Sequence, residues 1–268
     1  MAMFESFLSP LPRVVAHRGD SKFYPENTLP AFLSAREIGV DVIETDVHIT
    51  KDGEIVIWHD PTLERNTDGK GTIESHTLEE LKKYDAGYTF TRDGGKSFPF
   101  RGKGITLQTL DEALKALPDA RFNIDLKSKD ERIVDAFIGV IRKNHAEKRI
   151  CAASFHYKNL KALRRKAPDI LTSVTTVEVL SLVLREKLSL LPRRFSRKII
   201  FQVPEKQVLR IITPSFVRKM HERDAVVMVW TINDEEDMKR LYKMGVDTLM
   251  TDDPRLLDKV AREIGTRE

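Results

Sequence analysis

Cysteine is nearly absent from this sequence, and long uninterrupted apolar runs are missing altogether. The single cysteine, Cys151, cannot form an intrachain disulfide, which suits a protein that folds in a reducing compartment. No segment approaches the roughly 20 consecutive apolar residues of a membrane-spanning helix. The first residues also lack the charged start and the apolar stretch of a secretory signal peptide. We therefore expect a cytoplasmic protein without a transmembrane segment.

A strong net charge is missing as well. The chain has 45 basic and 41 acidic residues, a net charge of +4, and 41% hydrophobic residues. It is therefore not a disordered polyelectrolyte, and it can bury the core of one large α/β domain. Basic residues are concentrated in two stretches, Ile141–Lys166 and Arg185–Lys198, which indicate solvated helix faces or attraction to an anionic substrate or phospholipid surface. Aromatic–basic recognition motifs are absent, so no nucleic-acid partner is predicted.

No glycine-rich phosphate loop follows the first apolar run, because HRGDSK (17–22) matches neither G-x-G-x-x-G nor a P-loop. This disfavours a doubly wound open sheet. Instead, eight short apolar runs alternate with helical patterns, which favours a (β/α)8 TIM barrel. The predicted strands are Arg13–Ala16, Val42–Ile49, Ala120–Leu126, Ile150–Phe155, Ile170–Thr176, Lys198–Val203, Ala225–Ile232 and Thr248–Thr251. The predicted helices are Thr28–Ile38, Leu110–Leu117, Glu131–Asn144, Lys158–Ala167, Val177–Leu191, Pro214–Arg223 and Glu235–Met244. Asn27 and Asp234 are placed to cap two of them.

The alternation is interrupted once, between the second and third predicted strands. The interruption begins as a hairpin that turns at Asp52 and Gly53. It continues as a glycine-rich stretch with one short helical pattern, Leu78–Lys83. A structureless loop of this length is uncommon inside a compact domain. We therefore predict one TIM-barrel domain over residues 1–268, with a small inserted subdomain at roughly 50–106.

Charged side chains stand where the first three predicted strands end, the end at which TIM barrels carry their chemistry. Glu44 and Asp46 are two residues apart on the second strand and therefore point to one face, the barrel lumen. Asp125 occupies the third strand, with Lys127 on the same face. Neighbouring carboxylates repel unless a cation lies between them, and a divalent ion with oxygen ligands is one solution. Pairing with Lys127 and Arg18 is the other, and the sequence leaves both open.

Two histidines accompany these charged residues. His17 follows the first strand directly, and His59 lies in the turn-like sequence HDPT. Taken singly, His17 is explained as a core histidine and His59 as a turn histidine. Their convergence with the carboxylates on one end of one barrel favours a shared site.

Five blocks of this sequence resemble the glycerophosphodiester phosphodiesterase family. They recur in the family's order over roughly residues 13–255, and the match is weakest at 177–210. The blocks are AHRGDSKFYPENTLPAF, GVDVIETDVHITKDGEIVIWHDPTLERNTDGKG, FNIDLKS, SFHYKNLKALRR and VVMVWTINDEEDMKRLYKMGVDTLMTDDP. The resemblance implies a (β/α)8 barrel with an insertion after the second strand, the architecture that the apolar pattern predicts independently.

The resemblance also implies a role for each candidate residue. These are the acid–base pair His17 and His59, the metal ligands Glu44, Asp46 and Asp125, and the substrate-binding residues Arg18, Lys127, Trp230 and Phe155. The implied metal is Mg²⁺ or Ca²⁺, and which histidine is the acid stays open. Asp125 departs from the family's commoner glutamate in N-I-E-x-K. Its shorter side chain requires the ion to move toward the third strand or to accept a bridging water. The sphingomyelinase-D-like phospholipases are similar in having aspartate there.

The predicted function is metal-dependent hydrolysis of glycerophosphodiesters to glycerol 3-phosphate and an alcohol. Two alternatives remain: a lysophospholipase D-like enzyme that acts on lysophospholipids at a membrane surface, and a non-catalytic membrane-surface module. The lipid substrate would require an apolar wall, for which the predicted helix at 177–191 and the aromatic residues at 88–90 and 98–100 are candidates. The oligomeric state is not predicted.

Overall fold

Eight parallel strands form a nearly closed barrel in the computed structural model, which describes residues 5–188, 190–195, 198–204 and 212–267. The barrel order is β6-β5-β4-β2-β1-β9-β8-β7, with β3 paired antiparallel to β2. At the seam between β6 and β7, the Val174 N–H donates to the Ile200 carbonyl at 3.1 Å. The strands are β1 Val14–Ala16, β2 Val42–Ile49, β3 Ile55–Ile57, β4 Phe122–Leu126, β5 Ile150–Ala153, β6 Leu171–Thr172, β7 Ile199–Pro204, β8 Ala225–Trp230 and β9 Thr248–Thr251. The predicted fold class is confirmed.

Helices cover the outside of the barrel and alternate with its strands. Threonine side chains cap several of them, and Thr109 and Thr175 form complete capping boxes with Glu112 and Glu178. The helices are α1 Glu5–Leu8, α2 Leu29–Ile38, α3 Leu78–Leu81, α4 Leu110–Ala116, α5 Arg132–Lys143, α6 Tyr157–Lys166, α7 Thr176–Lys187, α8 Pro214–His221, α9 Glu235–Lys243 and α10 Pro254–Glu263. In the part of the chain that the structure describes, no helix is long and apolar enough to cross a membrane.

The alternation of side chains along β2 separates the core from the lumen. Ile43 and Val47 are buried against the helices, as the period of two requires. Val42 points inward and joins an apolar plug at the lower end of the barrel, which is completed by Phe7 of α1. The other plug residues are Val15, Cys151, Leu171, Ile200, Val226, Met228 and Met250. The carboxylates farther along β2 therefore lie above an apolar floor.

The segment between β2 and β4 has a small core of its own. The hairpin turns at the predicted place, where the Thr50 N–H donates to the Glu54 carbonyl at 2.9 Å. Beyond β3, Trp58 packs with Leu63, Leu81 and residues near the return to the barrel. The interruption of the βα alternation is therefore folded structure with its own core.

Several local predictions require correction. Asn27 does not cap α2, because Thr28 is the N-cap residue and Asn27 turns inward with φ +58°. The strand predicted at Ile170–Thr176 is shorter in the structure, where β6 is Leu171–Thr172, because Thr175 already caps α7 and Thr176 begins it. The helix predicted at Val177–Leu191 ends at Lys187, and residue 189 and parts of 196–211 lie outside the described residues. Two helices, α1 and α10, were not predicted.

Candidate active site

One cavity of about 310 Å³ opens at the carboxyl ends of the strands, and it gathers all nine residues predicted to be catalytic, metal-binding or substrate-binding. The aromatic residues at 88–90 and 98–100, which were candidates for an apolar wall, do not line it. The predicted residues on its wall are His17, Arg18, Glu44, Asp46, His59, Asp125, Lys127, Phe155 and Trp230. They come from loops and strands that are up to 213 positions apart in the chain, between 17 and 230. Their assembly in one place supports a shared site, while their individual roles stay predictions.

His17 is fixed by the last strand of the barrel. Its backbone N–H donates to the Thr251 carbonyl at 2.8 Å, and its Nδ1 lies 2.6 Å from Asp252 Oδ1. Burial lowers the pKa of the His17 imidazole, but the Asp252 hydrogen bond and the charge of Glu44 outweigh it and raise that pKa above its usual value. Since a carboxylate accepts at Nδ1, the proton resides there, and Nε2, 3.9 Å from Glu44, is the nitrogen left to exchange a proton.

His59 is held in the same way as His17, by a carboxylate at its Nδ1. Its Nδ1 lies 2.5 Å from Asp60 Oδ1, so Nε2 again carries the lone pair. Asp60 is in turn held by the Arg65 guanidinium, which also donates to Glu26 Oε1 at 2.6 Å. Both imidazoles are therefore oriented by a carboxylate that has its own hydrogen-bond partners.

Arg18 is positioned by an unusual backbone turn. Arg18 and Gly19 have φ +59° and +83°, and the Arg18 N–H donates to Glu44 Oε2 at 3.1 Å. Its Nη1 donates to Glu26 at 3.0 Å, while its Nε lies 3.3 Å from Asp46 Oδ2. Glu26 therefore connects Arg18 to the network that holds His59.

Two of the three lumen carboxylates, Asp46 and Asp125, are paired with cationic side chains in the structure, which is the alternative that the sequence left open. Asp46 and Asp125 are register partners in neighbouring strands, and Lys127 Nζ lies 3.0 Å and 2.7 Å from them. Asn27 also donates to Asp46 at 2.9 Å. Within the described ranges, no three His, Cys, Asp or Glu side chains already converge closely enough to hold a metal ion.

The titration of these carboxylates is strongly perturbed. Burial, reinforced by the charge of Asp46, raises the pKa of Glu44 to about 8. Burial also raises the pKa of Asp125. Burial acts in the same direction on Asp46, but Lys127 and Arg18 outweigh it and lower the pKa of Asp46. Asp125 Oδ1 is buried without a hydrogen-bond partner, so the site holds one oxygen whose bonding capacity is unused.

Aromatic and apolar side chains form the other half of the cavity. Phe155 and Trp230 meet edge to face with ring centroids 6.1 Å apart, and Lys127 Nζ lies 5.4 Å from the Phe155 ring centroid. Leu180 of α7 extends this wall. Deeper in the cavity, Gln202 donates to Asn123 at 2.7 Å. The cavity thus joins a charged end to an apolar wall, a combination that fits a charged headgroup attached to an organic alcohol.

Sequence reasoning missed the residues that support the site. Asp252 and Asp60 orient the two histidines, and Arg65 links Asp60 to Glu26. A signal existed for Asp60, which follows His59 directly, and for Asp252, which ends the last barrel strand in TDDP. Arg65 carried no such signal, because its partners are 5 and 39 positions away.

Comparison with known proteins identifies the family. The family model described as the glycerophosphoryl diester phosphodiesterase family matches residues 17–256. The chain belongs to this family. The resemblance predicted from the sequence blocks is confirmed, and so is the enzyme class, a phosphoric diester hydrolase.

Individual relatives agree with this assignment. A glycerophosphodiester phosphodiesterase of Caldanaerobacter subterraneus subsp. tengcongensis is 35% identical over 262 residues, covering 94% of this chain and 98% of the relative. A lysophospholipase D of Homo sapiens is 26% identical, covering 92% and 85%. Among solved structures, an Oleispira antarctica phosphodiesterase in complex with the product sn-glycerol-3-phosphate is 28% identical. It covers 95% of this chain and 98% of that one, with a TM-score of 0.76.

Proposed function

We propose that this protein hydrolyses glycerophosphodiesters to glycerol 3-phosphate and an alcohol, with His17 and His59 as the acid–base pair. The observation that carries the proposal is that both imidazoles line the same cavity and that each is held at Nδ1 by a carboxylate. This leaves both Nε2 atoms to exchange protons with a substrate. The product complex of the Oleispira antarctica relative supports glycerol 3-phosphate as the product.

The proposed chemistry assigns a separate task to each charged group. One imidazole removes the proton of the attacking hydroxyl, and the other donates a proton to the departing alcohol oxygen. Arg18 and Lys127 neutralise the phosphoryl oxygens as negative charge develops on them. Phe155 and Trp230 contact the alcohol side of the substrate. The attacking hydroxyl belongs to water or to the glycerol group. In the second case a cyclic phosphate forms as the alcohol leaves, and water then opens it to glycerol 3-phosphate.

We further propose that Glu44, Asp46 and Asp125 hold a divalent ion, Mg²⁺ or Ca²⁺. The donor set fits a hard cation, because all three offer carboxylate oxygens and Asp125 Oδ1 has no other partner. When bound, such an ion supplies positive charge that polarises a phosphoryl oxygen. Lys127 already pairs with Asp46 and Asp125, so its ammonium group competes with a metal for the same oxygens.

Steady-state hydrolysis of glycerophosphocholine tests the catalytic assignment. His17→Ala and His59→Ala should each lower kcat by about 10²–10⁴-fold, the usual worth of a general acid or base. Circular dichroism and the thermal midpoint of each variant serve as controls for folding. Near-normal kcat in either folded variant would refute the acid–base assignment.

Calorimetric titration with Mg²⁺ and Ca²⁺ tests the metal proposal without relying on activity. Lys127→Met removes the competing ammonium group, so it should tighten metal binding even though it impairs turnover. Asp46→Asn should abolish binding. Unchanged metal affinity in both variants would refute the proposal that these carboxylates hold the ion.

A lysophospholipid is the second candidate substrate, and the apolar wall favours it. Phe155 is 57% exposed and Leu180 50% exposed where they line the cavity, which leaves a route for an acyl chain. The human lysophospholipase D relative supports this alternative. Parallel assays with glycerophosphocholine and lysophosphatidylcholine decide between the two: a preference for the soluble diester favours the first function, and activity confined to the lysolipid favours the second.

A further inference from the structure

All large hydrophobic side chains that are exposed in the described part of the chain lie in two segments beside the cavity mouth. They are between 43% and 65% exposed, and we refer to them together as the apolar rim. The apolar rim consists of Phe155, Tyr157, Val177, Leu180, Leu184, Leu188 and Leu190. Two of its members, Phe155 and Leu180, also line the cavity, so the rim is continuous with the site. A concentrated patch of this kind marks an interaction surface.

Helix α7 and its C-cap residue supply four of the seven residues of the apolar rim, because the helix is apolar on two faces. Its inward face packs Val179 and Val183 into the barrel core. Its outward residues recur at spacings of three, four and four and form one stripe that continues one residue past the helix: Val177, Leu180, Leu184 and Leu188. A surface helix of a globular protein normally presents polar residues there. The outward stripe therefore lacks the partner that its composition requires.

Exposed basic residues flank the apolar rim. Residues 185–198 contain six basic residues and one acidic residue, Glu186, whose carboxylate accepts a hydrogen bond from Lys219. Arg185, Arg193 and Arg194 are exposed and have no carboxylate partner among the residues described. Arg185 and Arg194 share the wall of a shallow cavity against α7, which places both cations beside the stripe. Protruding apolar side chains bordered by arginines match the interfacial region of an anionic membrane.

We propose that the apolar rim and its arginines dock this protein onto an anionic phospholipid bilayer, with the cavity mouth toward the headgroups. A single acyl chain fits less well, because the rim side chains protrude from a convex helix and do not enclose a channel. A second copy of the chain also fits less well, since a symmetric contact through this surface would bring like-charged arginines together. Docking itself does not depend on the chemistry of the cavity, although its use in delivering lipid diesters rests on the proposed hydrolysis.

Vesicle co-sedimentation tests the docking. The probes are vesicles of phosphatidylcholine alone and of phosphatidylcholine with an equal amount of phosphatidylglycerol. The test variant is Leu184→Ser with Leu188→Ser, and the matched control is Leu184→Met with Leu188→Met. Neither position lines the cavity, so hydrolysis of glycerophosphocholine should be unchanged in both.

The wild type should bind the anionic vesicles, and more weakly as salt is raised. The serine variant should partition at least about tenfold less, because burying one leucine is worth roughly a factor of ten or more. The methionine variant should bind like the wild type. Arg185→Gln should weaken binding about fivefold, the worth of one basic residue near an anionic surface.

Three results would overturn the docking: no binding by the wild type, equal binding by the serine variant, or a dimer that dissociates in the serine variant while vesicles are not bound. The His17→Ala variant separates this proposal from the catalytic one. It should bind vesicles like the wild type while hydrolysis is lost. Vesicle binding together with an inactive wild type would refute the proposed hydrolysis and leave the docking intact.

Discussion

Replacing Gly19 with alanine should destabilise this protein more than the same change at any open glycine, because two separate effects add there. Gly19 has φ +83°, where an alanine side chain is strained by about 1–2 kcal/mol. A Cβ at Gly19 would also lie 2.8 Å from both the carbonyl carbon and the Cβ of Ala31 in α2. Backbone atoms cannot swing aside as a flexible side chain can, so overpacking should cost about 1–3 kcal/mol more. The expected loss of unfolding free energy is about 2–5 kcal/mol.

Two other glycines separate these effects. Gly53 has φ +90°, and no heavy atom lies within 4 Å of the position that an alanine Cβ would take, so Gly53→Ala should cost only the backbone strain, about 1–2 kcal/mol. Gly139 lies inside α5 with open space around it, and Gly139→Ala should instead stabilise the protein by about 0.5–1 kcal/mol. Urea unfolding of the three variants under one set of conditions gives the comparison.

The activity of the Gly19 variant provides a second readout. Arg18 precedes Gly19 and donates its backbone N–H to Glu44, so a displaced turn should also reduce kcat for glycerophosphocholine. Gly53 and Gly139 do not line the cavity, and their variants should retain wild-type turnover. Equal unfolding free energies for Gly19→Ala and Gly53→Ala would refute the close approach to Ala31 as the reason for glycine at this turn.

Two further predictions concern the groups that orient the histidines. Asp252→Asn keeps the size of the side chain but removes a charge that raises the pKa of His17. The limb of the pH–rate profile that reports His17 should therefore move to lower pH, and kcat should fall by about 10²–10⁴-fold. An unmoved profile of kcat/KM against pH would contradict this. Arg65→Met releases both Asp60 and Glu26, and kcat should fall about 10–100-fold while KM changes less. Because the Arg65 side chain is 45% exposed, its ion pairs should contribute at most about 1 kcal/mol to stability, so a large loss of unfolding free energy would point to a structural role instead.

The parts of the fold that could be predicted are those set by local periodicity. The period of two along β2 places Glu44 and Asp46 on the lumen face, and the structure has them there. Strand and helix alternation likewise predicts the barrel. Helix α10 was missed although PRLLDKVAREIG carries an N-terminal proline and a helical apolar repeat, with Asp253 as its cap. The signal for this helix is therefore present in the sequence.

Other features could not be predicted because they depend on contacts that the fold creates. Asn27 has the composition of a helix cap, yet its amide bridges Asp46 and Thr45 on the neighbouring strand. A buried carboxylate such as Asp46 gains more from that donor than an exposed helix end would, so tertiary contact overrides the local preference. The pairing of His17 with Asp252 spans 235 positions and follows from barrel closure, which sets β1 beside β9.

Barrel closure also explains why the site has its particular electrostatic design. The apolar plug excludes water from below, so each charge above it must be balanced by neighbours within the same layer. Asp46 meets this requirement with Lys127, Arg18 and Asn27, whereas Glu44 has one backbone donor and a pKa of about 8. Glu44 and the unpartnered oxygen of Asp125 are therefore where the layer still lacks positive charge. The divalent ion proposed above would supply that charge, so ion binding and charge compensation should be inseparable in this cavity.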